Sequence, residues 1–589
     1  MSILLDQVRI AGFRGLKNVE ASLSKTTVFI GTNNSGKTSF IKALQLALGD
    51  YQRYVTNEDF LINESDEKTD QIIIDVRFVP VDNEGNRRPD FTSEWVEEFG
   101  PGIQQEPDAK QFYAYRTVVK ADPIKGSFSV DRFTLVVWPD FTKWQDPPAG
   151  SKKATKRNDK IPFVSIDAQR DLHQELNEKT SFVGRVLSSV EYNAADVKSL
   201  EEKIADINTA AVDKSEPLKS LKSHLNALNQ SLGGSGNAEV NPFPKKIRDL
   251  SKRFSVHFGD DEKHSFSMEY HGMGTRSWAS MLSIRAFIEL NAEKHKKEAK
   301  PYFPILAAEE PEAHLHPTAQ KSLFTQLAET KGQVIISTHS PYLTSICDIY
   351  SVRSLAKIGG AKTCRSLVTG IDPDGIKSIK RAVLRNKGEV LFARALVLFE
   401  GVTEEQVYPA MFEKYFGKSP FALGVEMISV DGKNYAPFVK LALSFGIPVC
   451  IVGDNDNSAK ADVEKQLAKI PIETGLKLDT KLFNLGFLGA GNDIEAELVD
   501  VVGLLPELRQ ALINLETNMN ANPAHQAAKT AEINKLANPD LITRLRSSKA
   551  AYAGFLHDII LKNPESREKE KLAPVSLVEA FKKIESWLK

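Results

Sequence analysis

The segment GTNNSGKT (residues 31–38) constrains the fold more than any other, because it follows the apolar run TVFI and precedes a helical pattern, TSFIKALQLALG. Glycines let successive backbone N–H groups face a phosphate, and the helix start adds its positive dipole end. Lys37 can reach the β- and γ-phosphates, and the Thr38 hydroxyl can bind Mg²⁺. The order strand, loop, helix predicts an ATP site and disfavours an ordinary glycine-rich turn. The predicted nucleotide contacts in this loop are Asn33, Asn34, Ser35, Gly36, Lys37, Thr38 and Ser39.

A second apolar run, ILAAEEPEAHLHP, begins at Ile305 and ends in a group of carboxylates. Like charges this close repel and are costly to desolvate, so a metal ion, a reacting water or open solvent must compensate them. We predict that Glu309 orders Mg²⁺ and its waters and that Glu310 is the general base for water. The run VIISTHSP ends near His339, where an imidazole can sense the γ-phosphate. HGMGTRSW places the amide of Gly274 where it can meet a phosphate.

HGMGTRSW lies between the phosphate loop and ILAAEEPEAHLHP, and VIISTHSP comes last. In this chain order the four segments resemble the ATPase head of the ABC superfamily, in particular its DNA-maintenance branch of RecF-like and SMC-like proteins. The opening IAGFRGL, with Arg14, is similar to the start of that branch. The resemblance implies a head-to-head dimer in which the signature loop of one subunit completes the ATP site of the other. It also implies that Gln169 or Arg170 approaches the nucleotide and that His316 lies in the D-loop. We interpret His314 as structural.

Two departures from the ABC pattern bear on turnover. Glu309 stands where the wider family usually has aspartate. The segment GMGTRS also lacks the Ser-Gly-Gly core of the usual signature. We therefore expect nucleotide binding, but not fast hydrolysis.

A second acidic group lies in the last third of the chain. LVLFEGVTEEQVY ends an apolar run at Glu400, and a capping-box pattern over Thr403–Gln406 predicts a helix with Glu404 in its first turn. IPVCIVGDNDN ends another apolar run with Asp454 and Asp456, whose i, i+2 spacing sends both side chains to one side. Carboxylates at the ends of parallel strands suit Mg²⁺ or Mn²⁺. Ordinary turn carboxylates are the less favoured interpretation.

Glu400-Gly401 followed by Asp454-x-Asp456 resembles a Toprim domain, the metal-binding module of topoisomerases, primases and some nucleases. An ABC-type head followed by a Toprim domain is the architecture of the OLD (overcoming lysogenization defect) family of nucleases, and the resemblance covers nearly the full length. It implies a two-metal site that activates the attacking water and stabilises the leaving oxygen of a phosphodiester. The residues so implied are Glu400, Glu404, Asp454, Asp456, Asp493 and Glu495 as metal ligands, with Glu400 and Asp454 catalytic together with Lys549.

Some of these assignments have alternatives. In GAGNDIEAELVD, Glu497 competes with Glu495 for the ligand role. The same residues also make a good acidic helix start, with Asn492 as its cap and Glu495 as the capping-box partner. Lys549 is one of many lysines in a helical tail, so its assignment depends mainly on the family pattern.

The motifs together predict an α/β protein: an ABC-type ATPase head with an inserted helical arm, then a Toprim parallel-sheet domain with a helical C-terminal extension. Alternating runs after residue 70 predict an antiparallel sheet in the head. Residues 187–232 predict two amphipathic helices, either a dimerisation arm or a solvated hairpin. The predicted segments are 1–165 (N-terminal lobe of the head), 166–260 (helical insertion), 261–370 (C-terminal lobe), 371–394 (basic linker helix) and 395–589 (Toprim domain).

The overall charge excludes a uniformly basic DNA-binding surface, because 76 Lys and Arg are balanced by 77 Asp and Glu. DNA contact must come from local patches, such as residues 152–160 or, favoured for its nearness to the Toprim strand, 377–394. A solvated loop and a solvated helix face are the alternatives. The sequence shows no membrane span and no secretory signal. Cys347, Cys364 and Cys450 form no metal or disulfide pattern, which predicts a cytoplasmic location.

These features predict an ATP-regulated, metal-dependent DNA endonuclease or nickase that forms homodimers or larger assemblies. The family resemblance implies an antiphage role, alone, in Gabija-type systems or beside retrons, with a helicase, or a reverse transcriptase and its msDNA, as partner. A RecF-like ATP-switched DNA clamp whose metal site does not cut is the alternative. An ATP-dependent topoisomerase is disfavoured, because no tyrosine stands out as the strand-breaking nucleophile.

Overall fold

The structure is a computed structural model of the 589-residue chain. It describes residues 2–49, 55–62, 68–122, 127–147, 150, 152–154, 158–167, 193–231, 242–243, 257–258, 266–267, 272–358, 361–385, 388–456, 458–517, 522–548, 550–562 and 569–589. The chain forms two compact units. The first comprises Met1–Ile3, Pro80–Pro101 and Lys156–Val334, and the second comprises Leu4–Val79, Gly102–Thr155 and Ile335–Lys589.

Strands and helices are numbered separately in chain order. The strands are β1 (Ile3–Phe13), β2 (Leu16–Ser22), β3 (Thr26–Ile30), β4 (Gln71–Pro80), β5 (Ile103–Gln105), β6 (Gln111–Asp122), β7 (Ser127–Thr134), β8 (Lys152–Ala154), β9 (Phe163–Ile166), β10 (His257–Phe258), β11 (Phe266–Ser267), β12 (Ile305–Glu309), β13 (Gln333–Ser337), β14 (Val352–Ile358), β15 (Ala361–Ser366), β16 (Ala395–Phe399), β17 (Val425–Ser429), β18 (Val449–Gly453) and β19 (Phe483–Phe487). The helices are α1 (Lys37–Leu48), α2 (Ser93–Phe99), α3 (Ala194–Asp213), α4 (Glu216–Ser231), α5 (Met273–Lys297), α6 (Pro317–Ala328), α7 (Pro341–Thr344), α8 (Pro373–Arg385), α9 (Val402–Phe416), α10 (Pro420–Leu423), α11 (Ala436–Phe445), α12 (Ala459–Thr474), α13 (Ile494–Asp500), α14 (Leu505–Thr517), α15 (Pro523–Asn534), α16 (Asn538–Ser547), α17 (Ala553–Lys562) and α18 (Val575–Leu588).

The first unit contains a pair of long helices and a pair of parallel strands. Helix α3 is capped by Asn193, whose side chain accepts a hydrogen bond from the Asp196 N–H (2.8 Å), and α3 packs against α4. The buried Asn208 side chain donates to the Phe243 carbonyl (3.0 Å) and accepts from the Phe243 N–H (2.7 Å). The two helices predicted within 187–232 are confirmed. Strand β12 pairs in parallel with β9, and all five β12 residues are buried.

The antiparallel sheet predicted from the alternating runs lies in the second unit. Its strand order is β2-β1-β4-β6-β7-β8, with β5 also paired to β6. The β1–β2, β4–β6, β6–β7 and β7–β8 pairs are antiparallel. Asp75 on β4 lies opposite Arg116 on β6, and the two form a buried ion pair (2.7 Å). Because each charge compensates the other inside the sheet, this pair is structural.

The second unit also holds the strands around the phosphate loop, in the order β15-β14-β3-β13. Strand β14 is parallel to β3 and antiparallel to β15. The residues of β3 are almost entirely buried, and the chain passes from β3 through the loop directly into α1. The predicted strand–loop–helix order is therefore confirmed.

The C-terminal part of the second unit is built on a four-stranded parallel sheet, in the order β17-β16-β18-β19. Strands β16 (ALVLF) and β18 (VCIVG) are buried along their full length, as expected for parallel strands covered on both faces. Helices α9, α11, α12 and α13 follow the four strands in chain order. In a parallel sheet the residues that follow each strand meet at one edge, and ligands bind there.

The last ninety residues are mostly helical, as predicted. Helix α17 packs against α9, and α18 packs against β18 and β19. The core they share includes Phe399, Tyr408, Leu508, Leu556 and Phe581, each at most 1% exposed. Within the described ranges, no helix combines the length and the apolar character needed to cross a membrane.

Candidate nucleotide site and acidic metal centre

In the phosphate loop, the side chain of Lys37 is hydrogen-bonded to the backbone of the loop itself. Lys37, at the start of α1 and buried, donates from Nζ to the carbonyl oxygens of Gly31 (2.9 Å) and Thr32 (3.2 Å). The buried Ser35 hydroxyl has no hydrogen-bond partner among the described residues. Because an unpaired buried hydroxyl is costly, a ligand oxygen fits the chemistry of this loop.

The backbone of the loop explains its glycines. Gly31 and Gly36 have φ angles of 150° and 110°, which residues with a Cβ rarely adopt. Asn34 adopts φ 62°, in the left-handed region that asparagine tolerates better than most residues. The predicted loop residues that are exposed are Asn33, Asn34 and Thr38, and Ser39 is half-buried. The rim of the loop is thus open to a ligand.

The predicted Walker B carboxylates lie at the end of β12, in the first unit. Glu309 is the last residue of the strand and is buried. Glu310 follows in a turn, half-buried, with φ 44°. Such strain costs on the order of 1–3 kcal/mol in a residue with a side chain and is concentrated at functional sites. The strain agrees with the catalytic role predicted for Glu310, which stays a prediction.

Two other predicted residues of the first unit have structural roles in this fold. Gly274, near the start of α5, lies so close to the His314 backbone that a Cβ would come within 3.2 Å of its carbonyl carbon. His316 is the N-cap of α6, and its Nδ1 accepts from the Thr318 N–H (3.4 Å). The phosphate contact of Gly274 and the D-loop role of His316 stay predictions.

His339 lies just past β13, half-buried between two structural hydrogen bonds. The Thr338 N–H donates to the Phe29 carbonyl (3.0 Å), and the Ser340 N–H donates to Thr338 Oγ1 (2.8 Å). Because β3 leads into the phosphate loop after Ile30, these bonds hold His339 at the strand edge that carries the loop. The position agrees with the predicted role of His339 as a γ-phosphate sensor.

The predicted Toprim acids follow three adjacent strands. Glu400 follows β16, and Glu404 lies in the first turn of α9. Asp454 and Asp456 follow β18, and Glu495 lies on α13 after β19. The strand order β16-β18-β19 brings these side chains to one edge of the sheet, which we call the acidic edge.

Burial and neighbouring negative charges raise the pKa values of four acids at the acidic edge. Burial, followed by the charges of Glu404, Glu400 and Asp456, raises the pKa of Asp454 to about 8. Burial is also the main reason that the pKa of Glu404 rises to about 7, and the charges of Glu495 and Glu400 add to it. The pKa values of Glu400 and Glu495 are raised as well, mainly by burial. The edge therefore holds more negative charge than its surroundings offset.

Helix α9 has Glu404 in its first turn, as predicted, but its cap differs from the prediction. Its N-cap is Gly401, and no side chain caps it. The Thr403 hydroxyl instead donates to Glu495 Oε1 (3.2 Å). The predicted Thr403–Gln406 capping box is therefore wrong, because the Thr403 hydroxyl donates to a carboxylate on α13 and not to its own helix.

Asp493 has partners inside the protein. It is the N-cap of α13, accepting from the Ala496 N–H (3.0 Å), so the prediction of Asn492 as cap is wrong. Both of its oxygens also accept from Arg546, at 2.7 Å from Nε and 2.9 Å from Nη2. Burial alone would raise the pKa of Asp493, but the bonds to Arg546 and Ala496 outweigh it and lower the pKa. Arg546 thus competes with any metal ion for this carboxylate.

The choice between Glu495 and Glu497 has a structural basis. Glu497 Oε2 accepts hydrogen bonds from the Gly489 N–H (2.8 Å) and from Asn492 Nδ2 (2.8 Å). Glu497 therefore stabilises the loop before α13. Glu495 instead lies near Glu404 and Asp493, and its pKa is raised like that of Glu404. The contacts favour Glu495 as the ligand.

Sequence reasoning missed several groups around the acidic edge. Lys433 Nζ lies 3.5 Å from Asp456 Oδ1, and Tyr552 Oη lies 3.5 Å from Glu495 Oε1. Tyr435 is 1% exposed, and its hydroxyl has no hydrogen-bond partner in the described part of the chain. The turn VDGKNY directly follows β17, so its position could have indicated Lys433 and Tyr435. No local pattern marks Tyr552.

The side chains of the acidic edge fit a divalent cation chemically. Among the described residues, no three His, Cys, Asp or Glu side chains converge closely enough to hold one ion. Repelling carboxylates are expected to spread when no cation offsets them. The donors nevertheless are all oxygen atoms, as Mg²⁺ and Mn²⁺ prefer, and a cation would relieve the raised pKa values of Asp454 and Glu404. The unpaired Tyr435 hydroxyl is a further oxygen next to these acids.

Three predicted residues fall outside the described residues: Gln169, Arg170 and Lys549. Their roles stay predictions. The division of the chain into five segments also stays a prediction.

Two family models match the chain. The AAA ATPase domain matches residues 4–115 and 105–344, which together exceed half of the chain. The TOPRIM domain of overcoming lysogenization defect protein-like proteins matches residues 391–456, which include the strand ends with Glu400 and Asp454. This chain belongs to the OLD family. The predicted fold class, an ABC-type head followed by a Toprim parallel sheet, is confirmed.

Three nucleases are similar to this OLD chain over both domains. The Old nuclease of Escherichia phage P2 is 25% identical over 487 residues, which cover 77% of this chain and 78% of that protein. The OLD nuclease of Thermus scotoductus is 22% identical over 489 residues (77% and 82%). Endonuclease GajA of Bacillus cereus is 23% identical over 487 residues (77% and 75%). The OLD chain is thus an enzyme with an ATPase-type domain and a TOPRIM nuclease domain.

Proposed function

We propose that this OLD nuclease cleaves DNA with divalent cations held at its acidic edge, under the control of ATP bound at its phosphate loop. The observation that carries the proposal is the meeting of carboxylates from three adjacent strand ends, where the pKa values of Asp454 and Glu404 are raised to about 8 and about 7. A buried cluster of this kind is unfavourable unless a cation offsets it. The names of the three relatives support cleavage of a nucleic acid.

The residues that would hold the cations are Glu400, Glu404, Asp454, Asp456 and Glu495. Bound there, two divalent cations supply an activated water and stabilise the leaving oxygen of the phosphodiester. The chain itself orients the ligands: Thr403 and Tyr552 hold Glu495, and the Ser429 hydroxyl and the Gly432 N–H fix the Glu400 carbonyl (3.1 and 3.0 Å). These contacts limit how far the ligands can move when a cation binds.

A basic helix lies next to the acidic edge and supplies DNA contacts in this proposal. Arg381, on the exposed face of α8, lines a cavity of about 140 Å³ together with Asp431 and Asn434 from the turn after β17. That turn also carries Lys433, so cations from two elements adjoin the acids. Lys153 in the other basic stretch is already paired with Asp131 (2.6 Å). Lys377 on α8 is likewise paired, with Asp374 (3.0 Å), so it is the nearness of Arg381 to the turn with Lys433 that makes the helix the favoured phosphate-binding patch.

ATP is proposed to act by holding the heads of two or more chains in a geometry that limits access to the acidic edge, and hydrolysis or depletion releases it. The phosphate loop, with its enclosed Lys37 and unpaired Ser35 hydroxyl, supports nucleotide binding. Cleavage should then change with ATP concentration. A cleavage rate that is constant from zero to saturating ATP would contradict the control, but not the cleavage itself.

A role in antiphage defence is the proposed biological setting, by the family resemblance. A helicase, or a reverse transcriptase with its msDNA, is the proposed partner. Plaque counts on cells with and without the gene test the role. Purification of the chain with such a partner tests the association.

The central experiment incubates the purified chain with supercoiled plasmid and Mg²⁺ or Mn²⁺. Wild-type protein should nick or linearise the plasmid, and Asp454→Asn should not. Asp540→Asn, which changes an exposed aspartate outside the acidic edge, should behave as wild type. Intact plasmid that the wild type retains only with ATP would favour the non-cutting clamp, and cleavage by Asp454→Asn would place the active site elsewhere.

A further inference from the structure

Lys362, near the start of β15, lies over the phosphate loop. Its Cδ and Nζ lie 3.4 and 3.6 Å from the position that a Cβ at Gly36 would take. A Cβ at Gly15 would collide with the same Nζ. Gly36 is the N-cap of α1, so the ammonium group lies beside the helix start whose N–H groups face a phosphate in this kind of loop.

The strand register places this lysine against a second one. In the β14–β15 pair, Lys362 lies directly opposite Lys357, and like charges in that arrangement destabilise a hairpin. Burial, followed by the charge of Lys357, lowers the pKa of Lys362. Among the described residues, neither lysine forms an ion pair with a carboxylate. The protein does not offset this positive charge itself, which points to an anion that binds from outside.

Two other cations that the sequence singles out, Lys37 and Arg14, have partners inside the protein. Lys37 Nζ is held by the Gly31 and Thr32 carbonyl oxygens, and Arg14 Nε pairs with Asp59 Oδ1 (2.8 Å). Lys362 differs from both, because its position beside Gly36 is not explained by such a contact. A role toward a ligand accounts for it.

We propose that Lys362 is a second lysine of the nucleotide site, contacting the phosphate chain of a bound nucleoside di- or triphosphate beside Gly36. The assignment rests on the proposed nucleotide binding at the phosphate loop and adds a residue outside the loop motif. A bound polyphosphate would offset the repulsion between Lys357 and Lys362. Nucleotide affinity and the stability of the β14–β15 hairpin are therefore linked.

The first test measures ATP and ADP affinity of the full-length chain by isothermal titration calorimetry. Lys362→Gln should weaken both nucleotides by about 10- to 100-fold, as expected for loss of one charged hydrogen bond. Lys357→Gln, which removes the exposed partner lysine, should change affinity by less than about threefold. Lys362→Arg should restore most of the affinity. Without nucleotide, Lys362→Gln should melt no lower than wild type, because it removes a repulsion; a structural role would lower the melting temperature.

The second test needs no variant. Lysine acetylation of the wild-type protein, followed site by site with mass spectrometry, should slow at Lys362 when ATP is added. Acetylation of Lys357 should change little. Equal protection of both lysines, or of neither, contradicts a contact between Lys362 and the nucleotide.

The outcomes separate this inference from the function on which it rests. If wild-type protein binds ATP and Lys362→Gln binds it equally well, the assignment of Lys362 is wrong and the nucleotide site stands. If Lys362→Gln lowers nucleotide affinity but Lys362→Arg does not restore it, Lys362 affects affinity by supporting the loop structure. The proposed contact between Lys362 and the phosphate chain is then wrong. If wild-type protein binds no nucleotide, both proposals fail.

Discussion

The phosphate loop and the acidic edge are prepared in different ways for ligands of opposite charge. In the loop, the Lys37 ammonium is held by the carbonyl oxygens of Gly31 and Thr32. At the acidic edge, Asp454 and Glu404 lie among other acids, and their pKa values rise to about 8 and about 7. Lys37 in the loop thus has partners without a ligand, whereas the acids of the edge are electrostatically unfavourable without one. The stability of the acidic edge should therefore depend strongly on pH and on a bound cation.

Cleavage should respond most strongly to the loss of an acid at the acidic edge. Glu404→Gln should lower plasmid cleavage by about 10²- to 10³-fold, the range seen when one electrostatic contact to a transition state is lost. Glu405→Gln changes the exposed neighbour on the same helix turn and should lower cleavage by less than about twofold. Equal rates in the two variants would show that the buried acid is not part of the active site.

The pH dependence of stability is the next largest effect. In EDTA, the free energy of unfolding should fall as pH rises from about 4 to about 8, because unfolded Asp454 and Glu404 lose protons near their ordinary values of 3.8 and 4.5 while the folded protein retains them. The part due to Glu404 is on the order of 3 kcal/mol. Melting temperatures from pH 5.5 to 8.5 measure the fall.

Two further measurements test whether the acidic edge causes this pH dependence. Mg²⁺ binds the ionised acids, so it should raise the melting temperature most at high pH and flatten the curve. Asp454→Asn in EDTA should flatten it as well. An identical slope in wild type and Asp454→Asn would show that the acidic edge does not carry the repulsion described here.

Two arginines on α16 form the same kind of contact with a carboxylate, and their loss should have a smaller effect on stability. Arg546 holds Asp493 with two hydrogen bonds (2.7 and 2.9 Å), and Arg544 holds Glu516 in the same manner (2.6 and 2.8 Å). Both arginines are partly exposed, so Arg546→Gln and Arg544→Gln should each cost about 1 kcal/mol of stability in chemical denaturation. Only Arg546→Gln should change the Mg²⁺ dependence of cleavage, because it alone frees a carboxylate beside the edge. The same Mg²⁺ dependence in both variants would contradict this difference.

The smallest effect concerns Lys433. Burial raises the pKa of Glu400 and the charge of Lys433 lowers it, so Lys433 offsets part of the negative charge. Lys433→Gln should lower the Mg²⁺ concentration for half-maximal cleavage by about two- to fivefold, because a competing cation is removed. Lys465→Gln, on the exposed face of α12, is the control and should not shift it. A higher Mg²⁺ requirement in Lys433→Gln would indicate that Lys433 helps to bind DNA instead.

The functional residues that directly follow a buried strand could be predicted from the sequence. Buried runs such as ALVLF and VCIVG have few alternatives to parallel strands, so Glu400 and Asp454 could be placed at one edge from the chain alone. The phosphate loop was predictable for the same reason, since the strand, glycines, lysine and helix are contiguous.

Contacts between distant segments were not predictable. The Thr403 hydroxyl donates to Glu495, 92 residues away, instead of capping its own helix. Arg546 reaches Asp493 across 53 residues. A local pattern of Ser, Thr, Asp or Glu indicates a cap, but a closer tertiary partner can take the same side chain. The register of β14 and β15, which sets Lys362 opposite Lys357, is likewise visible only in the folded sheet.

If acids from three strand ends share a cation site, the nucleotide-free chain should bind Mn²⁺ at the acidic edge. Electron paramagnetic resonance counts free Mn²⁺ during a titration of wild-type protein and of Asp454→Asn. We expect the wild type to bind one or two Mn²⁺ ions per chain and Asp454→Asn to bind at least about tenfold more weakly. Equal binding by the two proteins, or none by the wild type, would show that these acids do not form a cation site.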